Sequence, residues 1–276
     1  MKKIIIILLT GFLLFSCSID DDSNNKVENP LITTIKINLN KPVLLLNQNE
    51  LIFHFHYDTQ KRLIKKTGSF LPLSSISLFN AYFTKDIYTS LEYNYNKVTV
   101  ENFSTSPEFI VPKNSIYYIL NNSNQILEKE IPDNKNSNQN YWFKKLYYDY
   151  SGNKLNEIIT TFPNMPYFPD EPNDYILTYS EKFYFDTNGN LSKSEYVEKR
   201  NGIENGEKVI RIFEDYDSSI NPTEKFYLLE EYFYRSLSKN NYRKYREIHY
   251  DNGILTSSTE YSWTFNYDSN GNIILN

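Results

Sequence analysis

A short string returns along this chain at irregular intervals. It reads "FYFDTNGNLSKSEY" at 183–196, with looser copies "FHYDTQKRLIK", "ILNNSNQIL", "YYDYSGNKLNEI", "IHYDNGIL" and "FNYDSNGNIIL". In four of the copies Asp58, Asn121, Asp186 and Asp268 are followed five residues later by Leu63, Ile126, Leu191 and Ile273. Three residues after the Asp or Asn stand Lys61, Asn124, Gly189 and Gly271. That is where a hairpin loop built on a type I turn needs a positive φ, which Gly adopts freely, Asn tolerably and Lys at a cost. The opening Asp or Asn is expected to accept bonds from the backbone N–H groups one and two residues on. "YDNGI" at 250–254 is a shorter version, and six of the eight glycines follow Asn or Ser in such contexts. Each copy is a β-hairpin, and a chain punctuated this way is confined to antiparallel sheet.

The flanks agree. Leu51, Phe53, Phe55 and Tyr57 alternate with Ile52, His54, His56 and Asp58, and Tyr261, Trp263, Phe265 and Tyr267 alternate with Ser262, Thr264 and Asn266. Period-two patterning with one apolar face marks half-buried antiparallel strands. Hairpins are expected near 50–58, 91–102, 115–131, 141–161, 175–199, 207–234, 242–258 and 261–275, with no helical stripe in the folded part. The expected fold is all-β, a single large antiparallel meander of about eight hairpins. Flat open sheets of that size are rare, so it is expected to be strongly curled or barrel-like.

The N-terminus reads as an address. Lys2 and Lys3 precede the apolar run Ile4 to Phe15, too short to span a membrane as a helix. "LFSC" at 14–17 resembles the lipobox of bacterial lipoproteins, with Phe15 bulkier than usual at its position. The resemblance implies cleavage after residue 16 and acylation of Cys17, which gives stable membrane anchoring through several chains. Cys17 is the only cysteine, so the folded part has neither a disulfide nor a thiolate cluster. The expected organisation is a signal peptide over 1–16, a polar, acidic tether over 17–30 and a β domain over 31–276. Asp20, Asp21 and Asp22 sit where an acidic surface-export signal would lie, and they fit a plain solvated linker equally well. The formal charge of −5 becomes −7 once Lys2 and Lys3 are removed. That gives no general attraction to nucleic acid or anionic lipid.

The string aromatic–Tyr/Phe–Asp–x–x–Gly–Asn–Leu resembles the tyrosine-aspartate repeat of RHS-type proteins. More closely, it resembles a family of uncharacterised bacterial outer-membrane lipoproteins built from degenerate hairpins of this kind and described as porin-like. The resemblance covers most of residues 50–276, with about six matched positions per unit. It implies a fold and an outer-membrane, lipid-anchored location, with surface exposure as a further expectation, and it carries no catalytic residues.

Several features invite chemistry. Asp186, Asn188 and Asn190 alternate as calcium ligands do, but Gly189 comes too early for an EF-hand and Val197 stands where Glu is needed. His54, His56 and His249 are weak metal candidates, with a place on the polar strand face as the alternative. Pro163, Pro166, Pro169 and Pro172 recur every third residue, which matches a polyproline II helix. The loop they form carries Tyr167 and Phe168, which with Trp142 are the candidate ligand contacts. It either displays these rings or folds over an open end of the sheet and hides them. The run 239–246 interleaves Lys and Arg with Tyr242 and Tyr245 and reads as a solvated strand face, not as a nucleic-acid site. No nucleophile elbow, HExxH or phosphate loop is present, and Asp215/Asp217 and Glu230/Glu231 have no dyad signature. The expected function is therefore non-catalytic and cofactor-free: a membrane-anchored protein that binds glycan or nutrient. The alternative is a structural scaffold for another envelope protein.

Overall fold

The computed structural model describes residues 31–39, 44–45, 51–72, 80–111, 115–133 and 140–275. The signal peptide, Cys17 and the tether lie outside these residues. The strands are β1 (Thr34–Ile35), β2 (Leu44–Leu45), β3 (Phe53–Tyr57), β4 (Leu63–Pro72), β5 (Asn80–Asn94), β6 (Lys97–Ser104), β7 (Ile116–Leu120) and β8 (Ile126–Ile131). They continue with β9 (Lys144–Ser151), β10 (Lys154–Thr161), β11 (Leu177–Phe185), β12 (Leu191–Arg200), β13 (Ile203–Ile220), β14 (Asn240–Asp251) and β15 (Ile254–Ser262). All of these form one sheet in the order β1-β3-β4 through to β15, and β2 pairs in parallel with β5. A separate hairpin, β16 (Asn266–Tyr267) and β17 (Ile273–Ile274), follows.

The four aligned turns share one hydrogen-bond pattern. Lys61, Asn124, Gly189 and Gly271 all have positive φ, at 61°, 60°, 89° and 80°. Each donates its N–H to the C=O of the Asp or Asn three residues earlier, at 3.0–3.2 Å. The acceptor geometry differs from expectation. Asp186 Oδ1 takes the N–H groups of Asn188 and Asn190, two and four residues on, at 2.9 and 2.8 Å. Asp58, Asn121 and Asp268 do the same. The loop spans five residues, so one carboxylate oxygen sits over both its middle and its exit. The residue after each loop then enters the core, with Leu63, Ile126 and Leu191 buried.

Two expectations fail. The segment 207–234 is not a hairpin: β13 is a single long strand, and residues 221–238 form two 3₁₀ turns (Glu224–Phe226, Glu230–Tyr232) and a four-residue helix, α1 (Phe233–Ser236). The hairpin set differs accordingly, with β12 and β13 joined at Asn201–Gly202 instead. Nor is the sheet barrel-like or strongly curled. β1 and β15 end the ladder and do not pair with each other. An apolar sheet face needs a second layer, and the 221–238 insert supplies it without closure. Phe226, Leu228, Leu229 and Tyr232 pack with Phe53, Phe55, Leu91 and Tyr118 of the first half, and Phe55 stacks on Phe226 at 4.3 Å. Phe233, Tyr234 and Leu237 pack on Leu155, Phe183, Phe213 and Tyr245 of the second half. Buried Asn221 holds the insert's ends together, its Nδ2 donating to the C=O groups of Arg235 (2.6 Å) and Ser238 (2.8 Å). The C-terminal segment completes the cover: Lys36 N–H donates to Leu275 C=O at 2.6 Å, and Trp263 Nε1 donates to Asn38 C=O at 2.9 Å.

Candidate functional site

The connection before β9 and the one after β10 build an aromatic platform. Trp142 lies in the turn before β9, where its N–H donates to Asp133 Oδ2 at 3.0 Å. Its indole meets the Phe162 ring edge-on at 5.9 Å. From Phe162 the rings continue across the sheet to Tyr179 at 5.9 Å and Tyr196 at 5.1 Å.

The proline loop over 163–174 leaves the end of β10 beside this row. It is not a polyproline II helix. Met165, Glu171 and Asp174 donate their N–H groups to the C=O of Phe162, Phe168 and Glu171 at 3.0–3.1 Å. Pro163, Pro169 and Pro172 therefore occupy the second positions of successive β-turns, for which their fixed φ is preset. Polyproline II has no internal hydrogen bonds, and three-residue spacing suits either arrangement. Asp174 reinforces the loop by accepting from Phe168 N–H at 2.6 Å. Asn164 Nδ2 reaches Asn140 C=O at 3.2 Å and ties the loop to the Trp142 turn. A cavity of about 180 Å³ opens beneath, lined by Phe162, Met165, Pro166, Tyr167 and Tyr175.

The loop does not hide its rings. Phe168 is 55% exposed, Trp142 43% and Tyr167 41%. The three ligand candidates thus sit on two connections bonded to each other, offering aromatic surface to solvent. Nothing in the sequence marks Phe162, Tyr179 and Tyr196 as their support, because aromatics in and beside strands ordinarily read as core.

The other candidates are dispersed. His54 and His56 lie on β3, on the face opposite buried Phe53 and Phe55, and His249 lies on β14. Its Nε2 pairs with Glu247 Oε1 at 3.0 Å. Among the described residues no group of three or more His, Cys, Asp or Glu side chains is placed to hold a metal ion. Asp186 Oδ1 is taken up by the turn's own N–H groups. In the basic run, Arg243, Lys244 and Arg246 pair with Asp215, Glu260 and Glu214, while Tyr242 and Tyr245 are core.

Sequence reasoning missed a charged network under the insert. Arg211 donates through Nη1 to Glu181 (3.0 Å) and through Nε to Glu247 (3.2 Å). Ser194 and Tyr234 donate to Glu181 at 2.6 and 2.9 Å, and Tyr245 donates to Glu247. Burial disfavours the Arg211 cation, but its anionic surroundings outweigh this and hold its pKa above the ordinary value. Adjacent Glu230 and Glu231 pair with the buried Lys129 and Lys66 and act as their counter-charges. No motif marks these positions, which come from strands far apart in the chain.

The class defined here is an open antiparallel meander with a short helical insert covering its apolar face. No protein-family model matches the chain, and no curated protein matches it. Solved structures do. A crystal structure of a porin-like protein from Bacteroides vulgatus ATCC 8482 is 13% identical, with a TM-score of 0.50 over 88% of this chain and 90% of that one. Another, of a porin-like protein from Bacteroides uniformis ATCC 8492, is 11% identical with a TM-score of 0.45, over 80% of each chain. The chain shares the porin-like fold of the first.

Proposed function

We propose that this is a non-catalytic, lipid-anchored protein of the outer membrane that binds carbohydrate through Trp142, Tyr167 and Phe168. One observation carries the reading: these large rings are exposed on two connections bonded to each other, one of them stiffened by proline turns. Sugar rings present apolar C–H faces that stack on aromatic rings, while hydroxyls such as that of Tyr167 suit a wet rim. A stiff loop also loses little entropy when it binds. The location rests on the lipobox-like "LFSC" and its Cys17, and the shared porin-like fold is compatible with it.

The test is a thermal-shift screen of the full chain, in a detergent without a sugar headgroup, against a panel of polysaccharides. A ligand at about 100 times its Kd stabilises by about 2.7 kcal/mol. The shift should vanish in Trp142→Ala and shrink in Tyr167→Ala. A flat panel from a cooperatively melting protein would refute the reading for those glycans. A second reading, a scaffold for another envelope protein, is favoured by β15, an edge strand exposed along residues 254–260.

A further inference from the structure

The charged network borders a cavity of about 370 Å³ between the insert and the sheet. Its walls are mostly aromatic: Phe70 of β4, Phe213 of β13, Tyr234 of the insert, Tyr242 and Tyr245 of β14, and Trp263. Its polar lining is Arg211, Glu230, Glu231 and Glu247. That volume lies in the range of small-molecule sites, which are typically apolar cavities with a few convergent polar groups.

The charges around it decide the class of ligand. The carboxylates are Glu181, Glu230, Glu231 and Glu247, and the cations paired with them are Lys66, Lys129 and Arg211. Arg235 adds a fourth cation behind the wall, with its guanidinium 4.0 Å from the Tyr242 ring and 4.4 Å from that of Trp263. Arg235 is answered by Asp217, and each of the four carboxylates is already paired with a cation, so an ionic ligand would enter without a counter-charge, a costly step in a mostly aromatic cavity. Hydrogen-bonding capacity nevertheless remains. Arg211 uses Nε and Nη1 on its two glutamates, and Nη2 carries no hydrogen bond among the described residues. Glu230 and Glu231 each hold a lysine on Oε1, which leaves acceptor lone pairs on the carboxylate.

We infer that this cavity binds a neutral polyhydroxylated ring of pyranose size, its apolar faces against the aromatic walls and its hydroxyls on Arg211, Glu230 and Glu231. The site stands on its own residues and shares only the ligand class with the surface platform, 142 and 167–168.

The chain's two tryptophans allow the sites to be tested separately, because Trp142 belongs to the platform and Trp263 to the cavity. In full-length Trp142→Phe protein, neutral methyl pyranosides are titrated to about 100 mM, enough to saturate a millimolar site. A saturable change in Trp263 emission is expected, weakened about tenfold by Arg211→Lys. Phe70→Leu, which removes one ring and leaves the charged network intact, should weaken it similarly and serves if the arginine variant does not fold. No change with any pyranoside overturns the inference. So does a response confined to tetramethylammonium or glucuronate, or one that both variants leave at full strength. The converse protein, Trp263→Phe, follows Trp142 with polysaccharides and reports the platform alone. Loss of one signal with retention of the other shows which proposal has failed.

Discussion

Replacing the opening Asp of each turn by Ala should produce a graded series, although the sequence presents the four turns as equivalents. Asp186 Oδ1 satisfies two backbone donors. The first, on exposed Asn188, passes to water when the carboxylate is lost, at about 1 kcal/mol. The second, on Asn190, is 2% exposed. That donor would be stranded, at about 1–3 kcal/mol, and Asn190 Oδ1 also accepts from Asn240 N–H at 2.9 Å, so a disturbed turn is felt in β14. Asp186→Ala should therefore cost about 2–4 kcal/mol, or roughly 4–16 °C in Tm for a domain of this size. In the Asp268 turn both receiving residues, Asn270 and Asn272, are exposed. Water replaces both bonds there, and Asp268→Ala should be the mildest change. Asp58→Ala and Asn121→Ala, whose second donor is half-buried, should fall between. Urea denaturation followed by circular dichroism gives the midpoints at unchanged m. Equal losses at 186 and 268 would refute the argument that burial of the second donor sets the cost.

Tyr232 is fully buried and its hydroxyl has no hydrogen-bond partner among the described residues. Tyr232→Phe should therefore raise stability by about 1 kcal/mol, read as a higher urea midpoint. Gly68, at φ +105°, would place a Cβ 2.8 Å from Phe83 Cζ and 3.1 Å from Phe53 Cδ1. Both rings are themselves buried, so Gly68→Ala should cost about 2–5 kcal/mol in the same assay. Burial raises the Asp58 pKa, but the Arg62 and Gln60 N–H groups and the Arg62 guanidinium outweigh this and hold it below the ordinary value. Asp268 is lowered chiefly by Asn272. A depressed folded-state pKa gives stability that is present above the unfolded value and lost as pH falls through the folded one. Melting temperature should drop below about pH 4, and Asp58→Asn should flatten that acid limb.

The turns were legible because they are local: a five-residue loop needs a particular residue at a particular φ, and Gly189, Gly271 and Asn124 display it. Strand alternation was legible for the same reason. The insert was not. Phe226, Tyr227, Tyr232, Phe233 and Tyr234 have high β-propensity, and a four-residue helix is too short to show a period. Its conformation follows from lying buried across a sheet, which local sequence does not record. The barrel-like expectation failed at the same place, since it assumed that no second layer existed. Of the site, Tyr167 and Phe168 stood out by their proline context. The cavity draws Phe70, Arg211, Tyr245 and Trp263 from four separate places, a grouping that only the ladder and the insert create.

That insert also imposes an order of events on biosynthesis. Strand pairs form between neighbours in the chain, so the ladder can lengthen as residues emerge from the ribosome or the export channel. Its cover arrives late: Lys66 meets its counter-ion Glu231 only 165 residues later, and Phe55 waits as long for Phe226. Until then the first eight strands present an apolar face with two unneutralised lysines on it. A nascent chain ending before residue 226 should resemble a client for holding chaperones, and commitment to the native state is deferred to its last fifth.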